Sequence, residues 1–330
     1  MKRLHFIILS LLLCFTSCRN SGELQSLQGT ALGTVYEVLY IGPQDECLAI
    51  QVDSLLLAFE HTYSIFDTAS LISRINRNET DSLPESMENV LRRSLEISRI
   101  SGGAFDITAA PLINAWGFGP ETGQQPSAAA IDSLKQLVGY TRLHIDGHRL
   151  IKDDARMQLN LNAIAKGYIV DCLADFIRER HPDFLVNIGG EIVCEGRRPD
   201  GKDWNIGIQL PTADSLDEGG IFHRFHLPQG KAVATSGDYR RYRTDSTGRR
   251  FSHIIDPQAG RSGQSDILSA TVIAEDCMTA DALATACMVM GKKAALRLLE
   301  QHDGWAACFI CHENGKWKVY STPNFPESIR

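Results

Sequence analysis

Asp281 and Thr285 stand four residues apart in MTADALATA, residues 278–286. On a helix that spacing projects both side chains from one face. A carboxylate and a hydroxyl are hard oxygen donors, suited to Mg2+, which also takes waters and phosphate oxygens. A solvated aspartate and a threonine bonding back to its own helix is the blander reading, and spacing alone favours it. A second cluster shifts the balance. In NAIAKGYIVD, residues 162–171, Lys166 is the one cation of a small, apolar stretch, beside Gly167 and behind Asn160 and Asn162. A lysine there is either part of a solvated helix face or an anion-binding corner, because N–H groups at a helix start already favour anions. Read together, the two clusters describe a cradle for a cation and a diphosphate.

Further glycine-punctuated clusters occur in SGGAFDITAAPLINAWGFG, in LVNIGGEI and in AVATSGDYRRY, the last followed by FSHIIDP. None has P-loop or dinucleotide-fold spacing. Glycines at strand ends permit close backbone approach to a ligand, although each alone is more often a turn. Diphosphate chemistry at a hydroxyl also needs a base. His253, in FSHIIDP beside Asp256, is the best candidate of the ten histidines. It reads equally as a structural histidine bonding a turn, and Asp281 could serve as both ligand and proton acceptor. Arg240, Arg241 and Arg243 in GDYRRYR suit phosphate, an acceptor protein or plain solvation.

The elements that must position these residues follow from periodicity. Leu48, Val52, Leu55, Leu56, Phe59 and Tyr63 recur at helical spacing and predict a helix over about 46–64. Helices are also expected over 86–101, stopped at Gly102-Gly103, and over 127–139. Ala165, Ile169, Leu173 and Ile177 form one face of a helix running to about Glu179. The last helix, 278–301, should break or bend near Gly291. Strands are expected at 30–42, 183–196, 204–211, 221–228, 231–237, 250–256 and 268–274, with a hairpin turning at Asp146-Gly147. PETGQQPS, residues 120–127, reads as a loop. Helices and strands mix without strict alternation. That pattern predicts an α+β fold, one compact domain whose mixed, largely antiparallel sheet is flanked by helices.

At 330 residues, 43% of them hydrophobic and 22% charged, the chain can build such a core. Its net charge of −7 argues against a nucleic-acid partner. No apolar run reaches the roughly 18 residues a membrane span needs. The N-terminus has the layout of an export signal: Lys2 and Arg3, an apolar run from Phe6 to Phe15, then Thr16, Ser17 and Cys18. It resembles a bacterial lipobox, with Phe15 where leucine is usual. Lipidation at Cys18 would remove residues 1–17 as a signal and leave 18–29 as a polar tether ahead of a domain over 30–325. The expected location is therefore the cell membrane, lipid-anchored on the side away from the cytoplasm.

Nine cysteines in an exported chain suggest disulfides, but two belong to the leader and lipid site, and the odd remainder shows no framework spacing. Cys172, Cys277 and Cys287 read as buried thiols. Cys308 to His312, CFICH, matches a c-type haem attachment signature. Its surroundings read instead as a hairpin turning at Asn314-Gly315, and the strand reading is preferred.

GGAFD, AIAKGY, VNIGGEI, ATSGDYRRY, SHIIDP and MTADALATA, in this order, make the chain resemble the ApbE family of lipoproteins, the FAD:protein FMN transferases, over about 30–325. The resemblance implies an enzyme that cleaves FAD at its pyrophosphate and links FMN through a phosphoester to a threonine hydroxyl of another exported flavoprotein, such as a subunit of a membrane redox complex. It implies FAD contacts at Ala104, Phe105, Asp106, Lys166 and Ile255. Mg2+ would be held by the Ala163 carbonyl, Asp281 and Thr285. Three further FAD-contact positions that it implies depart from the family pattern: Asn160 replaces an aspartate, Leu32 a methionine, and Phe66 a tyrosine. Two related readings share these residues: a Mg2+-dependent FAD pyrophosphatase giving FMN and AMP, and a non-catalytic FAD-binding lipoprotein.

Overall fold

The computed structural model describes residues 22–120, 125–211, 220–238, 242–244, 250–262, 265–313 and 316–329. Residues 1–21, Cys18 among them, Arg240, Arg241 and the pair Asn314-Gly315 lie outside them, as does part of the stretch 120–127.

An eight-stranded sheet organises the molecule. Its strands are β1 (Leu24–Ala31), β2 (Thr34–Ile41), β3 (Phe184–Ile188), β4 (Glu191–Glu195), β5 (Ala232–Gly237), β6 (Ile267–Ala274), β7 (Ala306–Glu313) and β8 (Lys316–Ser321). They lie side by side in chain order, and every pairing is antiparallel. The sheet is thus a meander interrupted by long insertions. The insertion between β2 and β3 carries helices α1 (Glu46–Tyr63), α2 (Glu85–Ile100) and α3 (Asn162–Arg178). The one between β6 and β7 carries α4 (Cys277–Met290) and α5 (Lys292–Leu299).

Strand alternation sends side chains to two separate cores. Phe184, Val186 and Ile188 of β3, Ala270 and Val272 of β6, and Phe309 and Cys311 of β7 face the helices. Leu185, Ile273, Cys308 and Ile310 face the other way, under the ribbon formed by Asn205–Gln209 and Ile221–His226. Cys308 and Cys311 therefore point to opposite faces, which a shared haem edge could not accommodate. The strand reading of CFICH holds. All seven cysteines among the described residues are free.

The structure revises several sequence expectations. The single strand expected over 30–42 is a hairpin whose first strand begins at Leu24, inside the stretch read as a tether. Its two-residue turn is Leu32-Gly33, both with positive φ (54° and 71°). That is the turn geometry whose twist matches paired strands. Leucine there costs about 1–2 kcal/mol. Its N–H is held by Glu60 Oε1 at 2.9 Å. Among the described residues, the two strands expected at 204–211 and 221–228 pair with each other, apart from the eight-stranded sheet. Residues 250–256 split between two short ribbons, Arg250–Ser252 with Tyr242–Thr244 and Ile255–Asp256 with Arg261–Ser262. The helix expected over 127–139 stops at Lys135. The break at Gly291 is as expected, with φ of 74° between α4 and α5.

Candidate active site

α3 and α4 cross where Gly167 meets Cys277. A Cβ on Gly167 would sit 2.2 Å from the Cys277 carbonyl oxygen, so only glycine lets the helices approach this closely. Asp171, one turn further along α3, accepts the Cys277 and Met278 N–H groups at 2.8 and 2.9 Å. It thereby satisfies the first two N–H groups of α4, while the N-cap Asp276 accepts the Thr279 N–H at 2.7 Å. The crossing delivers Asp281 to α3: its Oδ2 accepts the Gly167 N–H at 3.1 Å. In a regular helix that amide is the partner of the Ala163 carbonyl, so carboxylate and carbonyl converge on one amide.

Lys166 extends from the same turn to Glu191 Oε1 at 2.5 Å and comes within 4.0 Å of Asp281 Oδ1. Both carboxylates are 2% exposed, while the Lys166 side chain keeps 33% of its surface open. Glu191 opens β4 immediately after the Gly189-Gly190 turn. Burial pushes Asp281 up to about 7, with Lys166 pulling down and Glu191 pushing further up. Burial alone would lower the Lys166 ammonium, but Asp281 and Glu191 outweigh it and leave it raised. One helical turn beyond Asp281, the Thr285 hydroxyl lies 3.2 Å from Ser236 Oγ, near the end of β5.

Lys166, Asp281, Thr285 and the Ala163 turn, read separately from the sequence, are thus brought to one place. Carboxylate, hydroxyl and backbone carbonyl form an oxygen-only donor set that fits a hard cation. Among the described residues no group of three His, Cys, Asp or Glu is disposed to hold a metal. A cation here would therefore lean on neutral oxygens.

The remaining candidates lie around this cluster in different roles. Asn160 is 8% exposed; its side-chain oxygen accepts the Asn162 N–H at 2.9 Å and its own N–H reaches the Ile107 carbonyl at 2.8 Å. It fixes the entry to α3. Asp106 caps the turn at Ile107–Ala109 and accepts from Thr108 Oγ1 at 2.6 Å and Tyr140 N–H at 2.9 Å. Burial holds it above the usual carboxylate range. Its side chain is thus committed to ordering the loop that carries Ala104 and Phe105, the latter 2% exposed. Ile255 is packed with Leu112 and Trp116. His253 lies against Phe118, ring centroids 6.2 Å apart, and Arg243 stacks on the same Phe118 at 5.7 Å. Phe66 is 55% exposed, an aromatic face open to a planar partner. Leu32 sits at the core margin in its strained turn.

A model of the ApbE family matches residues 32–310. The chain belongs to the ApbE family. The curated FAD:protein FMN transferase of Vibrio cholerae is 34% identical over 330 residues, 97% of each chain. That of Escherichia coli K12 is 32% identical over 316 residues, covering 92% of this chain and 88% of the other. The solved flavin transferase ApbE from Vibrio cholerae superposes with a TM-score of 0.82 at 32% identity, covering 92% of this chain and 98% of that one. The apo flavinyl transferase ApbE of Pseudomonas stutzeri gives 0.81 at 35% identity, covering 92% and 96%.

Within this ApbE fold, Glu191 and Asp171 are the site residues that sequence reasoning left without a role. Glu191 stood in the quoted VNIGGEI, and a glutamate opening an apolar strand after two glycines was the available signal. Asp171, in KGYIVD, was the one acid among the apolar residues of its helix turn.

Proposed function

We propose that this chain is an FAD:protein FMN transferase that moves the FMN moiety of FAD to a threonine hydroxyl of an exported flavoprotein, with Mg2+, while anchored outside the cytoplasm by lipid on Cys18. The observation that carries the reading is the buried Lys166–Glu191–Asp281 cluster at the start of α3, one helical turn from Thr285. The names of the relatives at 32–34% identity support the activity.

In the reaction the threonine oxygen forms a bond to the FMN phosphorus. The bond from that phosphorus to the bridging oxygen breaks, and AMP departs with the electron pair. Asp281, Thr285 and the Ala163 carbonyl would hold Mg2+, which when bound supplies neutralisation of the diphosphate charge. Lys166 adds a positive charge to the diphosphate from the start of α3. The proton of the acceptor hydroxyl passes to a base, His253 or Asp281. Phe66 offers a stacking surface to the flavin or adenine ring.

A pyrophosphatase would use the same residues and pass FMN to water. The two outcomes separate when the protein is incubated with FAD, Mg2+ and an acceptor domain and the acceptor's intact mass is read. Transfer adds FMN less one water to the acceptor and releases AMP in equal amount. Free FMN with an unmodified acceptor would contradict the proposal.

A further inference from the structure

Glu191 is buried and only half satisfied. Its Oε1 meets Lys166 at 2.5 Å, whereas Oε2 has no hydrogen-bond partner among the described residues. A buried carboxylate oxygen without a partner is destabilising, so the residue is not explained by folding alone. Its place is set by the backbone. The preceding Gly189 and Gly190 both have positive φ (66° and 108°), and Asn187 Oδ1 accepts the Gly190 N–H at 3.0 Å. Of the pair, Glu191 is the fixed member and the long Lys166 chain the adjustable one.

Formal charges sharpen the point. With all three groups ionised, Lys166, Glu191 and Asp281 sum to −1, an excess that a bound cation would neutralise. With Glu191 neutral, the sum is zero and the ammonium, already 4.0 Å from Asp281 Oδ1, has a single carboxylate left to pair with. Closing that gap would occupy the oxygen a divalent cation needs.

We propose that Glu191 is a positioning residue: its carboxylate holds the Lys166 ammonium off Asp281, leaving Asp281 open to a divalent cation and the ammonium open to phosphate. The inference rests on the reading of this cluster as a cation and diphosphate site.

The test uses the full chain with Mn2+ alone, without FAD, and follows free Mn2+ by electron paramagnetic resonance. Glu191→Gln should weaken Mn2+ binding by about ten- to a hundredfold, the usual effect of removing a group that orients a metal ligand. Glu191→Asp, which keeps the charge, should recover most of that loss. Adding Lys166→Met to Glu191→Gln removes the intruding ammonium and restores the net charge of −1, so the double variant should bind Mn2+ within a few-fold of the unaltered protein. Unchanged Mn2+ affinity in Glu191→Gln would overturn the proposal. So would a double variant as weak as Glu191→Gln, because that result makes Glu191 a direct ligand. Absence of Mn2+ binding by the unaltered protein would overturn it as well. Should Glu191→Gln fail to fold, the double variant, with no ammonium left unpaired, and Glu191→Asp decide the matter. The outcome is separable from the proposed activity. A protein that transfers no FMN yet shows this pattern loses the functional reading and keeps the positioning role. A protein that transfers FMN while Glu191→Gln binds Mn2+ normally does the reverse.

Discussion

At Asn160 a neutral amide occupies the place where the ApbE pattern has a carboxylate, and its geometry shows what the position does in this chain. The side-chain oxygen bonds the Asn162 N–H at the entry to α3, a task either oxygen type can perform. Asn160→Asp should therefore leave FAD binding at least as strong in a fluorescence titration; loss of binding would mean the residue is aligned with the wrong family position. Asp171 carries a different kind of consequence. Burial raises it to about 7, although two N–H groups from α4 favour its charged form. Its folded value lies above the unfolded one, so the folded state keeps a proton that the unfolded chain has already released. Its contribution is full below about pH 4 and is lost as pH rises through 7. Asp171→Asn removes that dependence. The melting temperature of the variant, relative to the unaltered protein, should accordingly be more favourable at pH 8 than at pH 5. An unchanged difference would show that Asp171 titrates normally. Asp171 and Glu191 also mark the limit of sequence reading at this scale. Their partners, Cys277 and Lys166, lie 106 and 25 residues away, and no local pattern announces pairings of that range.

The elements were legible where one face is continuously apolar. The helix expected over 46–64 is observed at Glu46–Tyr63, and that expected over 86–101 at Glu85–Ile100, because their buried residues recur at strict helical spacing. The first hairpin was misread because its turn holds Leu32, a residue type that sequence rules do not place at positive φ. The order of the sheet was not legible, since strand pairing across an insertion of 142 residues (42–183) depends on packing rather than on local pattern. The α3–α4 crossing provides the sharpest test at this scale. Glycine to alanine inside a helix ordinarily gains up to about 1 kcal/mol. Gly167→Ala should instead lose about 1–3 kcal/mol, because its methyl would overlap the Cys277 backbone and force the helices apart. A lowered melting temperature together with weakened Mn2+ binding is expected. A stabilised variant would show that the crossing has slack.

For the whole molecule, the sheet begins at Leu24, leaving few residues between it and Cys18. With the lipid anchor proposed above, Cys18→Ser should release a soluble exported protein with normal FAD turnover, measured after cell fractionation; lost turnover would show that the N-terminal segment takes part in the domain. The net charge of −7 poses a further question, since a negatively charged protein must attract a diphosphate. Lys166 would supply that attraction in the ground state, whereas a cation at Asp281 would matter most where charge develops on the departing phosphate. Binding and turnover should therefore separate in one variant. Asp281→Ala should still bind FAD in a fluorescence titration yet add no FMN mass to the acceptor, even in excess Mg2+. Modification of the acceptor by Asp281→Ala at the unaltered rate would contradict the account and place the cation elsewhere.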